Sequence, residues 1–262
     1  MAYDAGSEQA LDDLALAREL AAAAGERLAE LRAGWEGDEA DLRKAGDAAA
    51  QDLLAARLST ARPDDAVLSE EAKDNPIRLD ADRVWIVDPL DGTREFGEGR
   101  HDWAVHVALW ERSAGAAGDL TVGAVALPGR GLVLCSDGAQ RVPEAADGSP
   151  IRIAVSRTRP PAVAVAVAEA LGAELVPMGS AGYKVTAVVL GEVDAYVHGG
   201  GQYEWDSAAP VAVARAAGVH TSRLDGSPLV YNRPDPLLPD LVIARAELAE
   251  PLLAAIAAAS TT

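Results

Sequence analysis

The sequence predicts a layered α/β protein (α+β in chain order), and three observations predict it. Ala- and Leu-rich segments with helical spacing fill the first sixty residues and the last fifteen or so. Residues 102–135 are a series of short apolar runs punctuated by Gly and Pro. Beyond residue 150, apolar runs of strand length alternate with helical ones. The apolar share, 49 % of 262 residues, can fill a sizeable core without staples. Only 4 % of the residues are aromatic. A core of Ala, Val and Leu favours helices packed on sheets over an aromatic-rich sandwich.

Element by element, Ser7 to about Ala33 reads as a helix capped by Ser7 and ended by Gly34 and Gly37. A second helix is predicted over Asp47–Arg62, stopping at Pro63, with Asp47 near its start. Ala66–Leu68 is a short apolar run that leads into Ser69-Glu70-Glu71. Val84–Val87 is a buried strand running straight into Asp88. Trp103–Trp110, Leu120–Leu127 and Gly131–Cys135 form an antiparallel meander. The turn-rich stretch Pro143–Pro150 marks the expected boundary between an N-terminal half, 1–148, and a C-terminal half, 149–262. In the second half the strands are Ile151–Val155, Leu175–Met178, Ala195–His198 and Leu241–Ala244. The helices between and after them are Pro161–Leu171, Ala181–Leu190, Trp205–Ala217 and Ala246–Ala259.

Charge excludes some functions. With 23 basic and 41 acidic residues the formal net charge is −18, a surface that repels nucleic-acid polymers and anionic membranes. A phosphorylated small molecule can still bind where cations reverse the local field. The single cysteine, Cys135, cannot form an internal disulfide and reads as a small core residue. No apolar stretch approaches membrane-spanning length, and MAYDAGSEQALDDL lacks the basic start and apolar core of a signal peptide. A cytoplasmic protein is expected.

The chemistry concentrates at Asp88-Pro89-Leu90-Asp91-Gly92-Thr93. An apolar strand delivers Asp88 to a sheet edge, Pro89 forces a turn, and Asp91 follows three residues on, so that both carboxylates can converge on one hard cation. The Leu90 carbonyl could add a ligand. Gly92 allows close backbone approach, and the Gly92 and Thr93 amides would face an anion if a helix begins there. Asp-Pro and Asp-Gly are also common turn dipeptides, and a surface turn is the competing reading. Three further acidic features accompany the hexapeptide. Glu70-Glu71 ends an apolar run, Asp206 follows Glu204-Trp205 in the first turn of a helix, and Asp47 stands near a helix start. The last two positions equally suit carboxylates that merely favour a helix N-terminus. His101, His106, His198 and His220 lack metal-ligand spacing and read as structural or exposed.

Taken together and in this order, Asp47, Glu70-Glu71, Asp88–Thr93 and Trp205-Asp206 resemble the lithium-sensitive, magnesium-dependent inositol monophosphatase superfamily over nearly the whole chain. The resemblance implies an alternating αβαβα layered sandwich like that of the inositol monophosphatases and fructose bisphosphatases. Arg94-Glu95-Phe96, Ser180-Ala181-Gly182-Tyr183-Lys184 and Glu204–Ala209 narrow it to the CysQ-type 3′(2′),5′-bisphosphate nucleotidases. Ser69 departs from the Gly that many members carry before the paired glutamates.

On that resemblance, Glu70, Asp88 and the Leu90 carbonyl would hold a first Mg²⁺, and Asp88, Asp91 and Asp206 a second. Two or three ions per site are implied, with Li⁺ inhibiting. Glu70 and the Thr93–Asp47 pair would orient an attacking water, and the Gly92 and Thr93 amides would bind the scissile phosphate. Arg94, Arg157, Tyr183 and Lys184 are candidates for a second phosphate or the adenine. The implied substrate is adenosine 3′,5′-bisphosphate (PAP), with its sulfonated form PAPS as a second candidate, in sulfur assimilation and nucleotide recycling. Inositol monophosphatase or fructose-1,6-bisphosphatase activity is the runner-up, and a catalytically silent metal- or nucleotide-binding relative is the reading from another class. A homodimer is compatible with the resemblance.

Overall fold

The computed structural model describes residues 12–144 and 148–259. Two antiparallel helices come first, α1 (Asp13–Ala33) and α2 (Glu39–Ala61). They lead into a five-stranded sheet of β1 (Ala66–Ser69), β2 (Arg83–Asp91), β3 (Ala104–Glu111), β4 (Asp119–Leu127) and β5 (Leu132–Cys135), arranged in that spatial order. The short α3 (Thr93–Gly97) follows β2.

A second sheet is built from β6 (Arg152–Ser156), β7 (Glu174–Met178) and β8 (Ala195–His198), with α4 (Ala162–Leu171) and α5 (Ala181–Val189) between them. After β8 come β9 (Gln202–Tyr203), α6 (Glu204–Ala216), β10 (His220–Ser222), β11 (Leu237–Leu238), β12 (Leu241–Ala244) and α7 (Ala249–Ala259). The second sheet runs β10-β12-β8-β6-β7, and β9 pairs with β11 alone.

Strand alternation sets the layering. Trp85 and Val87 face α1 and α2, whereas Val84 and Ile86 face the opposite way, into the core that holds Val185 of α5 and Val211 of α6. Ala154, Tyr196 and Ile243 of the second sheet close that central core from below. The other face of the second sheet packs Ile153, Val155 and Val197 against Val167 of α4 and Ile256 of α7. The result is the αβαβα sandwich, with α5 and α6 as the middle layer. No described helix is long and apolar enough to cross a membrane.

Two features of the first sheet position the chemistry. β1 pairs with β2 in parallel, Ser69 opposite Val87, so Glu70 and Asp88 emerge side by side at one sheet edge. The β2–β3 pairing carries one extra residue between Asp88, opposite His106, and Asp91, opposite Ala104, which brings both carboxylates to the same face.

Some elements differ from the sequence reading. The predicted cap Ser7 lies outside the described residues, and α1 is capped by Asp12, whose carboxylate accepts from the Ala15 amide. Helix α2 begins eight residues earlier than Asp47, capped by Asp38. Asp47 therefore caps nothing; it sits inside the helix. Gly46, inside the helix, serves packing. A Cβ at Gly46 would come within 2.8 Å of Phe96 and 3.0 Å of Leu90, so its absence lets α2 lie on the turn that carries the acids. The predicted closing helix divides into a 3₁₀ turn, Ala246–Leu248, and α7.

Candidate active site

Asp88 is fully buried at the end of β2. Its Oδ1 accepts the Leu90 amide at 3.0 Å, while its buried Oδ2 has no hydrogen-bond partner. Asp91 is held more firmly. Its Oδ2 accepts the Ser180 hydroxyl at 2.5 Å and the Gly182 amide at 2.6 Å, and its Oδ1 accepts the Ala181 amide at 3.0 Å. Asp91 thus closes the first turn of α5 and ties the first sheet to the middle helix layer. Asp206, in the first turn of α6, accepts the Tyr203 amide at 2.6 Å, which keeps its carboxylate in place. Oxygens of Asp88, Asp91 and Asp206 all lie within 4.8 Å of one another.

Such crowding is costly in the absence of positive charge. Burial, then the neighbouring Glu70, Asp91 and Asp206, pushes the Asp88 carboxyl well above the usual carboxylate range. Burial and Asp91 push Asp206 up to about 6. Glu70 stands exposed at the rim but is enclosed on its inner side. Burial and the charges of Asp206, Asp91 and Glu71 raise it to about 7. Asp91 behaves oppositely: burial pushes it up, but His106, Ser180 and Lys184 outweigh that and hold it at about 2. The oxygen donors, the unpartnered Asp88 Oδ2 and the raised acids fit a hard divalent cation.

The signs give a stability prediction. Glu70 and Asp206 have folded values above their unfolded ones, so the stability they contribute is complete below about pH 4 and is lost as pH rises through about 6–7, and the raised Asp88 acts in the same sense. The window of Asp91 lies lower and does not overlap. Cation-free protein should melt roughly 5 °C lower at about pH 8 than at about pH 5, and a divalent cation should stabilise it more at the higher pH. Thermal melts in chelator and in cation check this; parallel curves at both pH values would contradict it.

His106, structural or exposed on the sequence reading, is structural and belongs to the site. It lies opposite Asp88 on β3, fully buried, with Nε2 3.2 Å from Asp91 Oδ2 and Nδ1 3.0 Å from the Trp205 carbonyl. It therefore joins the Asp91 turn to the segment that presents Asp206. A usable signal was present: His106 is the one polar residue in the run Ala104–Leu109, and a buried polar ring needs partners.

Thr93 opens α3. Its hydroxyl lies 3.0 Å from the Leu90 carbonyl and 3.3 Å from Asp47 Oδ1, serving one acceptor at a time. Burial, then the charge of Glu71, raises Asp47 to about 6. Gly92, at φ 89°, adopts a left-handed backbone that aims the start of α3 into the site. Ser69 is buried and donates to Gln51 Oε1 at 2.7 Å, so it pins the end of β1 to α2.

Beside the acids a cavity of about 250 Å³ is lined by Gly92, Thr93, Arg94, Arg157, Arg159 and Lys184, among others. Arg94 and Arg159 are exposed in its wall. Arg157 also reaches it, but already donates to Glu95 at 2.9 Å and Glu98 at 2.6 Å. Lys184 is buried and donates to the Gly179 and Ser180 carbonyls, which fixes the loop that holds Asp91. The Tyr183 ring is not brought to this cavity. It packs 5.8 Å from the Arg130 guanidinium and lines a separate hollow with His101 and Asp102. A larger cavity, about 440 Å³, shares none of these lining residues, and its buried Asp194 is already paired with Arg152 and Arg245.

The model of the inositol monophosphatase family matches residues 10–261. A 3′-phosphoadenosine 5′-phosphate phosphatase of Mycobacterium leprae (strain TN) is 54 % identical over 255 residues, 94 % of each chain. The 3′(2′),5′-bisphosphate nucleotidase CysQ of Escherichia coli (strain K12) is 31 % identical over 199 residues, 71 % of this chain and 78 % of its own. Among solved structures, CysQ from Bacteroides thetaiotaomicron, a bacterial member of the inositol monophosphatase family, superposes with a TM-score of 0.76 at 27 % identity, over 87 % of this chain and 95 % of its own.

Proposed function

The chain belongs to the inositol monophosphatase family and is a phosphatase, and we propose that it removes the 3′-phosphate of PAP, leaving AMP, with Mg²⁺ in the acidic cluster. The observation that carries this reading is the junction of two surfaces at Gly92-Thr93. On one side lie Asp88, Asp91 and Asp206, and on the other a cavity walled by Arg94, Arg157, Arg159 and Lys184. A substrate with two phosphates matches both sides. The relative from M. leprae, named for that substrate, supports the same choice.

Glu70, Asp88, Asp91, Asp206 and the Leu90 carbonyl would hold the cations. When bound there, divalent cations offset phosphate charge, acidify water and stabilise a departing oxygen. The chain's own groups do the positioning. The Gly92 and Thr93 amides face the scissile phosphate at the start of α3. Glu70, at the rim, and the Thr93–Asp47 pair orient the attacking water. When Thr93 donates to Asp47, a lone pair of its hydroxyl is left to accept a hydrogen bond from that water. Attack is direct and in line, with no phosphorylated side chain. PAPS carries the same 3′-phosphate and is the second substrate on this reading, which places the enzyme in sulfur assimilation and nucleotide recycling.

Phosphate release from PAP, inositol 1-phosphate and fructose 1,6-bisphosphate, measured side by side in Mg²⁺ and then with added Li⁺, tests the assignment. PAP should be hydrolysed at least about tenfold faster than the others, the discrimination expected when a second charged group is met by its own partners, and Li⁺ should lower the rate. Equal rates on all three would remove the nucleotide preference. No release from any would sink the phosphatase reading in favour of a silent relative.

A further inference from the structure

A buried arginine links the two segments that carry Glu70 and Asp206. After Glu70 the chain runs through 71–75 into the 3₁₀ turn Pro76–Leu79. Within that turn Arg78 is only 1 % exposed. Its guanidinium grips Asp74, Nε to Oδ1 at 2.7 Å and Nη2 to Oδ2 at 3.0 Å, which pins the returning end of the Glu70 loop. The remaining donors cross to another part of the chain. Nη1 donates to Asn232 Oδ1 at 2.8 Å and Nη2 to the Arg233 carbonyl at 2.9 Å, while Asn232 Nδ2 donates back to the Arg78 carbonyl at 3.2 Å. The Asn232 and Arg233 amides then donate to the two Glu204 oxygens at 2.7 and 2.8 Å. Glu204 is buried, opens α6, and stands two residues before Asp206.

The path Asp74–Arg78–Asn232–Glu204 is therefore continuous from the Glu70 loop to the helix turn that presents Asp206. Burying a guanidinium is expensive unless every donor is used in a fixed geometry. A planar fork can serve a carboxylate, an amide oxygen and a carbonyl at once; a lysine cannot. The acids it holds together repel one another, so without a brace their segments would relax apart.

We propose that Arg78 is a positioning residue for the cation site, fixing the separation between Glu70 and Asp206 through Asp74 on one side and Asn232 and Glu204 on the other. This rests on the reading of Glu70, Asp88, Asp91 and Asp206 as cation ligands. Supporting groups of this kind change metal affinity by about 10–100-fold.

Calorimetric titration of Mg²⁺ into cation-free protein, paired with rates at varied Mg²⁺, tests it. Asn232→Gly removes the side-chain link yet suits the positive φ of 57° and keeps the amide that serves Glu204. Asp74→Asn weakens the grip at the exposed end. Both variants should fold, bind Mg²⁺ about tenfold more weakly and need about tenfold more Mg²⁺ for half-maximal rate, with the rate largely recovered at saturation. A folded variant that binds Mg²⁺ within about twofold of wild type overturns the proposal, as does a fall in kcat with unchanged affinity. Unfolding of both variants would make the network a structural strut and overturn it as well. Asp88→Asn in the same titration separates the two ideas: unaltered Mg²⁺ binding there would remove the cation-ligand reading itself.

Discussion

Asp88→Asn should lower turnover of PAP on the order of a thousandfold, the scale of losing one group that stabilises charge in the transition state. Asp88 is the fully buried member of the acid cluster, and its Oδ2 alone among the buried carboxylate oxygens of that cluster has no protein partner. The same substitution should raise the melting temperature of cation-free protein. It removes a carboxyl whose ionisation burial and three acidic neighbours oppose. Added Mg²⁺ should then stabilise the variant less than it stabilises wild type. Opposite movements in activity and stability are the signature of a group kept for function at a cost to the fold. Wild-type turnover in saturating Mg²⁺ would remove Asp88 from the site, and an unchanged apo melting temperature would remove the electrostatic explanation.

Gly182→Ala should destabilise the protein by about 3 kcal/mol, the upper part of the range for overpacking a core. For a domain of this size that lowers the melting temperature by roughly 10 °C. In an ordinary helix interior the same change would be favourable, because alanine exceeds glycine in helix propensity by about 1 kcal/mol. Here the new Cβ would stand 2.0 Å from His106 Nε2, and the ring has nowhere to go. His106 is fully buried, and its other nitrogen is held at the Trp205 carbonyl. Displacing the ring disturbs Asp91 on one side and the Trp205-Asp206 segment on the other, so activity should fall beyond the loss of folded protein. Thermal melts together with specific activity of the folded fraction check both parts; a variant as stable as wild type would show that the ring has room to move.

The parts of this site that were legible in the sequence are local. Asp88, Leu90, Asp91, Gly92 and Thr93 form one contiguous turn behind an apolar strand, so their proximity needs no knowledge of the fold. That Glu70 lies beside Asp88 follows from the parallel β1–β2 register, and that Asp206 meets them follows from the packing of α6 on β2, β3 and β4. Composition and spacing do not supply either fact, so the family resemblance had to carry them. Asp47 lies inside α2 and not near its start, because the helix continues through Gly46, whose packing against Phe96 and Leu90 outweighs its weak propensity. Strands as short as Gln202–Tyr203 and Leu237–Leu238 leave too few residues for any alternation to register. His106 and Arg78 belong to contacts between distant segments; in sequence His106 is a lone polar residue in an apolar run, and Arg78 is one charged residue in a stretch rich in them.

The scarcity of basic residues sharpens the substrate question. At a formal charge of −18 the surface as a whole repels phosphates, yet Arg94, Arg157, Arg159 and Lys184 gather around one cavity next to the acid cluster. Glu95 and Glu98 engage Arg157, and backbone carbonyls engage Lys184. On the proposed function, Arg94 and Arg159 would be the exposed cations to meet the phosphate that is not cleaved.

The central claim is that the acid cluster acts on the 3′-phosphate while the basic cavity holds the 5′-phosphate. Its most direct test is to identify the nucleotide left when the enzyme and Mg²⁺ consume PAP. The expected product is adenosine 5′-monophosphate together with inorganic phosphate. Accumulation of adenosine 3′-monophosphate, or PAP left intact under saturating Mg²⁺, would contradict it.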